Sequence, residues 1–165
     1  MTGETRTRTY QWIEPNAPRS GLADRTGLEY YEALRDGAAA LAPIAETIGW
    51  RVSNVERGLV RLSLKPGDFL SHGGGVMHGG VISTLLDSAM AGALITVMEG
   101  RRVCTTQQLA VTMLRAVKRE AGEIFAEGRV DHVTAKAGAA SATLTDGDGR
   151  LYAKAMMTGV VIEGR

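Results

Sequence analysis

Apolar positions fall into distinct periods along this chain, and the changes of period mark its elements. Val60, Leu62 and Leu64 alternate with Arg61, Ser63 and Lys65, the pattern of a half-buried strand. With Glu56-Arg57-Gly58 as a turn, the segment from Ala45 to Lys65 reads as two strands. A polar, glycine-rich loop spans Pro66 to Gly75. From His78 to Glu99 the chain is apolar on nearly every side, with Gly79, Gly80, Ser83, Ala89, Ala91, Gly92 and Ala93 scattered through it. Such a helix is expected to be buried, and its small residues let surrounding strands approach closely.

Strand patterns follow over Val103–Arg115, Glu123–Val133, Lys136–Thr145 and Arg150–Ile162. In the first of these, alternation puts Val103, Thr105, Gln107, Leu109, Val111 and Met113 on one face. In the second, Ile124, Ala126, Gly128 and Val130 oppose Glu127, Arg129 and Asp131. Asp146-Gly-Asp-Gly149 is a hairpin signal. Upstream, Thr26-Gly-Leu-Glu29 is a capping-box pattern, opening a helix that carries Tyr30 and Leu34 to about Asp36 and stops at Gly37. Residues 1–25, with Pro15, Pro18 and Gly21, have no period; they read as an arm that Trp12 and Ile13 dock on the body. Helix, two strands, long buried helix and antiparallel meander make an α+β protein with a segregated sheet. One domain is expected over residues 26–165.

Composition narrows the functional classes. A chain of 165 residues with 44% hydrophobic residues can bury a core. Nineteen Lys and Arg against 18 Asp and Glu give no basic excess for nucleic acid, and the capped helix near Thr26 is too isolated for a helix-turn-helix. The single Cys104 excludes an intramolecular disulfide and a cysteine-rich zinc site, and points to a reducing cytoplasm. No metal or cofactor is expected. The N-terminus lacks the apolar stretch of a signal peptide. Val81–Met98 is apolar enough to raise the membrane question, but Asp87 with Ser83, Thr84 and Ser88 argues against a span.

His78-Gly79-Gly80 begins the long helix, and Asp87 follows His78 by nine residues. A helix start offers free N–H groups and the positive end of the dipole, and glycine admits a ligand carbonyl to them. That is an oxyanion site. Asp87 is costly on an apolar helix unless it has a role or a partner.

The run His78-Gly-Gly-Val-Ile-Ser-Thr-Leu-Leu-Asp87-Ser-Ala-Met-Ala-Gly92 resembles the phenylacetate-pathway (PaaI-like) acyl-CoA thioesterases of the hotdog superfamily. The resemblance continues through Thr105-Thr106, Leu109 to Arg115 and Val130-Asp-His132, and covers roughly residues 40–162. Upstream, Ala45-Glu-Thr-Ile-Gly-Trp50 resembles the family's first strand. The resemblance implies a hotdog fold, a curved antiparallel sheet wrapped around the long helix, here with an extra N-terminal helix. It implies a homodimer, often paired as a homotetramer, with active sites at the dimer interface. It places the catalytic carboxylate on Asp87 as general base or nucleophile, the oxyanion donor on Gly80 or Gly79, the helix-start histidine on His78 and the water-positioning hydroxyl on Thr105. The family's asparagine six residues before that histidine is His72 here, a ring that can still donate and accept.

Thr106 is a further substrate-binding candidate. Arg115 and Lys136 are candidate grips for coenzyme A phosphates, with Lys118 and Arg119 near the first. His132 shares the parity of Val130 and reads as structural, Cys104 as a buried thiol, and Trp12 and Trp50 as packing groups. The expected function is acyl-CoA hydrolysis. The alternative is a non-catalytic acyl-CoA-binding or sensor protein of the same fold; a dehydratase would need a paired Asp and His that the sequence does not show. No nucleic-acid or membrane partner is expected.

Overall fold

The structure, a computed structural model, describes residues 3–15, 25–99 and 102–163. Six antiparallel strands form one sheet in the order β1-β2-β4-β5-β6-β3: β1 Arg51–Glu56, β2 Leu59–Leu64, β3 Arg102–Met113, β4 Ile124–Val133, β5 Ala137–Asp146 and β6 Leu151–Glu163. Helices α1 (Gly27–Arg35), α2 (Pro43–Ile48) and α3 (Gly79–Ile95) complete it. The α+β hotdog arrangement inferred from the sequence is the one observed. Among the described residues, no helix is long and apolar enough to cross a membrane.

α3 crosses the sheet's inner face. Ile82, Leu85, Leu86, Ala89, Met90 and Leu94 are buried against Val60, Leu62, Leu64, Ile124, Ala126 and Leu144. Gly128 explains the closeness of this contact: a Cβ there would lie 2.4 Å from the Ala89 carbonyl. The helix is not buried on every side, however. Thr84, Asp87, Ser88 and Ala91 are only half-buried, and their spacing puts them on one open stripe. Small and polar residues can leave the core at little cost, which uniform hydropathy over the segment conceals.

α1 begins with the expected capping box: the Glu29 N–H donates to the Thr26 hydroxyl and the Thr26 N–H to the Glu29 carboxylate. It packs on the C-terminal half of α3, where the Tyr31 ring fills the space a side chain at Gly92 would take. Desolvation there pushes the Tyr31 phenol far above its usual range.

Three expectations need correction. Ala45–Ile48 is helical, not a strand, because Pro43 occupies its first turn and Gly49, at φ 95°, ends it; the first strand starts at Arg51. In β3 the register slips between Thr106 and Gln108, so inward parity passes from Cys104 and Thr106 to Leu109 and Val111, and Thr105 lies on the outer, exposed side. A second slip between Val130 and His132 turns Val133 inward and leaves His132 exposed.

The arm is extended and exposed over residues 3–15; Pro18 and Gly21 lie outside the described residues. Arginines hold it more than apolar contact does. Arg6 pairs with Asp68, and Arg8 donates to the Glu46 and Thr47 carbonyls while stacking on Phe69. Trp12 and Ile13 are 59% and 53% exposed, so Trp12 is not a core group, whereas Trp50, at 5%, is.

Candidate active site

α3 starts where a loop ties it to its neighbours. The His78 N–H donates to the Leu70 carbonyl and the Met77 N–H to that of Val117. His78 is the N-cap, and its Nδ1 accepts the Gly80 N–H at 2.9 Å. The bond requires Nδ1 to be unprotonated, so a neutral ring carries its proton on Nε2. Gly80 suits this geometry because a Cβ there would crowd Nδ1 at 3.0 Å. His72 repeats the device in the preceding loop, its Nδ1 accepting the Gly74 N–H at 2.8 Å.

The cap changes the oxyanion inventory. Gly80's N–H is occupied by His78, whereas Gly79's has no partner among the described residues. Gly79 also lines a cleft of about 370 Å³, together with His72, Met77, Ile82 and Met113 through Val117. His72 is exposed, yet it shares this cleft with the helix start. A larger cleft, of about 560 Å³, lies between the arm and the connection from α1 to α2, away from these groups.

Asp87 sits further along α3, half-buried. Its Oδ1 accepts the Thr106 hydroxyl at 2.8 Å, and Oδ2 has no protein partner among the described residues. The slip in β3 makes this contact possible by turning Thr106 toward the helix. Alternation grouped Thr105 with Leu109 and Val111, and the family resemblance gave it the water-positioning role; the deviation is set by pairing with β6, which no local pattern announces. Ser83 and Thr84 are engaged with the carbonyls of Gly79 and Gly80 and are not free beside the carboxylate. Burial first, and the Asp87 charge second, raise the Cys104 thiol pKa, which keeps it protonated and unsuited to attack.

Gly79 and Asp87 are eight residues apart on one helix, about 12 Å along the axis at the helical rise. One chain therefore cannot bring its own helix start and its own Asp87 to the same carbonyl. Arg115 and Lys136 are also separated. The Arg115 N–H meets the Tyr152 carbonyl, while the Lys136 carbonyl meets the Val161 N–H. They stand at opposite ends of β6, roughly 30 Å apart at the strand rise.

A curved sheet around a central helix, with a glycine-rich helix start and a carboxylate on the helix, defines a hotdog protein. The thioesterase superfamily model matches residues 74–153, and over this stretch the chain is similar to that superfamily. Among solved structures, a thioesterase family protein from Silicibacter pomeroyi shares 26% identity over 81% of this chain and 99% of its own, with a TM-score of 0.72. A Streptococcus mutans protein solved bound to acetyl CoA shares 25% over 70% and 90%, at 0.64. The Escherichia coli PaaI protein of the phenylacetic acid degradation operon shares 18% over 73% and 85%, at 0.67, a likeness of fold. No curated protein matches the chain.

Proposed function

We propose that the protein hydrolyses an acyl-CoA thioester to the free acid and coenzyme A, in a site built from two copies of the chain. The observation that carries this reading is the Asp87 carboxylate, held by Thr106 through one oxygen and free at the other. The free oxygen takes a proton from water, and the water oxygen attacks the thioester carbonyl carbon. The carbonyl oxygen becomes an oxyanion facing the Gly79 N–H of the other copy. Collapse expels the thiolate of coenzyme A, which takes up a proton. Thr106 positions the base, His78 and His72 shape the helix start and its loop, and Gly80 stays with its cap. An attack by Asp87 itself on the carbonyl is the other route open to the same carboxylate.

Two copies are required by the separation of Gly79 and Asp87 along α3, and the fold offers the means. β3 has one edge without a strand neighbour among the described residues, and Val103–Met113 carries no charged residue. A long uncharged edge invites pairing with another chain. The open stripe of α3 then lies where a second copy can cover it. The acetyl CoA held by the Streptococcus mutans relative favours an acyl-CoA substrate.

Asp87→Asn keeps the shape and removes the base. Turnover over a panel of short, medium, long and aromatic acyl-CoAs is expected to fall by about 10²–10⁴. Hydrolysis by the variant at the wild-type rate would sink the assignment. Tight binding by the wild type with no turnover on any member would favour an acyl-CoA sensor instead.

A further inference from the structure

We propose that the N-terminal arm is a working part of the site, with Arg6 and Arg8 as positioning residues that brace the turn from which the helix start is hung. The catalytic consequence rests on the thioesterase reading; the brace itself rests on independent geometry.

The turn is Asp68–Leu70, a single 3₁₀ turn of 3 residues in the loop between β2 and α3. It closes through the Leu70 N–H to the Gly67 carbonyl and the Ser71 N–H to that of Asp68, at 3.0 and 3.1 Å. So short an element has few bonds of its own to hold it. Leu70 is 5% exposed, and its carbonyl accepts the His78 N–H at 2.9 Å. Gly79, whose N–H has no partner among the described residues, is the next residue in the chain. A shift of the turn therefore passes through one hydrogen bond to the cap and to the donor beside it.

Asp68 and Phe69 face outward, Phe69 at 53% exposure, and side chains from two distant segments converge on them. Alternate residues of an extended chain face the same way, and Arg6 and Arg8 of the arm both reach the turn. Arg6 pairs with Asp68. The Arg8 guanidinium lies 4.0 Å from the centre of the Phe69 ring, and that ring lies across Gly67, where a Cβ would come within 2.5 Å of it. Arg8 is itself anchored, donating to the Glu46 and Thr47 carbonyls at the end of α2. From the other side, Arg119 reaches both Asp68 oxygens, at 3.4 and 3.5 Å. Arg119 follows Val117 and Lys118, which hold the far end of the same loop: the Met77 N–H donates to the Val117 carbonyl, and Val76 bridges Lys118. The two ion pairs on Asp68 span 62 and 51 residues. The other pairs among the described residues join near neighbours in sequence or, for Arg102 and Glu163, facing strand ends. One exposed ion pair or cation–π contact is weak alone. Here several act on one short turn with a direct backbone link to the N-cap.

Amide hydrogen exchange on the full chain, read by NMR, tests the brace without substrate. In Arg6→Gln/Arg8→Gln the His78 N–H should exchange about three- to ten-fold faster, while amides of β5 and β6 keep wild-type protection. Asp68→Asn, which releases the turn from its own side, should give the same pattern. Arg6→Lys should retain most of the protection, because a charge suffices for that pair. Arg8→Lys should retain less, because an ammonium lacks the flat face and the fork. Arg129→Gln, which breaks an exposed pair within β4, serves as the control. In turnover, the double variant should lose about three- to ten-fold in kcat with KM within about two-fold, because the oxyanion contact strengthens in the transition state. Unchanged exchange at His78 in both the double variant and Asp68→Asn would overturn the brace, as would protection lost evenly through the sheet. A wild-type kcat in the double variant, or a change confined to KM, sinks the positioning role alone. Faster exchange at His78 in a protein that hydrolyses no thioester sinks the thioesterase reading alone.

Discussion

Thr105 and Thr106 are neighbours of the same type, yet only one touches the carboxylate. Thr106 donates to Asp87 while Thr105 is exposed. A hydrogen bond to a charged group contributes about 1.5–3 kcal/mol, so Thr106→Val should lower kcat by about ten- to a hundred-fold. Thr105→Val should leave kcat within about two-fold, as expected for an exposed residue without a partner; steady-state kinetics of the pair settles which hydroxyl serves. Asp146 lends itself to a pH test. Backbone hydrogen bonding from Arg150, then bonds from Tyr152 and Asp148, hold its carboxyl below the usual carboxylate value. Its stabilising contribution is therefore complete above that usual value and lost as pH falls through the depressed one. Asp146→Asn should lower Tm at neutral pH and flatten its fall in acid, as read by thermal melts across pH. His78, Gly79, Gly80 and Asp87 were legible in the sequence because a carboxylate and paired glycines stand out in an apolar helix. Thr106 was legible only as a substrate-binding candidate; its bond to Asp87 was not, since its orientation depends on pairing with a strand about fifty residues away.

At the level of elements, periodic signals placed the long helix and the strands from β2 onward, and failed where a register slip or a short helix interrupts the period. The capping box at Thr26 and the Asp146 hairpin appear where their residues place them. Ala45–Ile48 went astray although Pro43 and Gly49 bracket a helical turn; the six-residue segment is too short for its spacing to outvote those markers. α3 was legible as the central helix, but its open stripe depends on what the sheet leaves uncovered. The contact of β4 with α3 offers a packing test. A Cβ at Gly128 would meet backbone atoms of Ala89 and Met90, which cannot swing aside as a side chain can. Gly128→Ala should cost at least about 1–3 kcal/mol, seen as a lower denaturant midpoint, while Gly147→Ala, with nothing within 4 Å of its Cβ, should not.

For the whole molecule, the proposed function makes the site a property of two chains, because Gly79 and Asp87 are eight residues apart on α3. Asp87→Asn and a helix-start variant such as Gly79→Pro are each expected to be inactive. Unfolded and refolded together in equal amounts, they would form mixed dimers in which one site inherits both intact halves. Recovered activity should approach about a quarter of wild type for random twofold pairing, measured against each variant refolded alone. No recovery, from mixed dimers verified by mass spectrometry, would refute the shared site.

The slip in β3 bears on how this strand tolerates changes of length. Removing Gln107 from the count leaves Cys104, Thr106, Leu109 and Val111 at even steps, so the strand behaves as two phrases joined by one spare syllable. Ahead of it, the inward positions serve Asp87; beyond it, they serve the core. A chain one residue shorter at this point would keep every side chain on its present face, whereas a loss anywhere else along β3 would turn one phrase inside out. The join is where the strand's chemistry and its packing can change independently of each other.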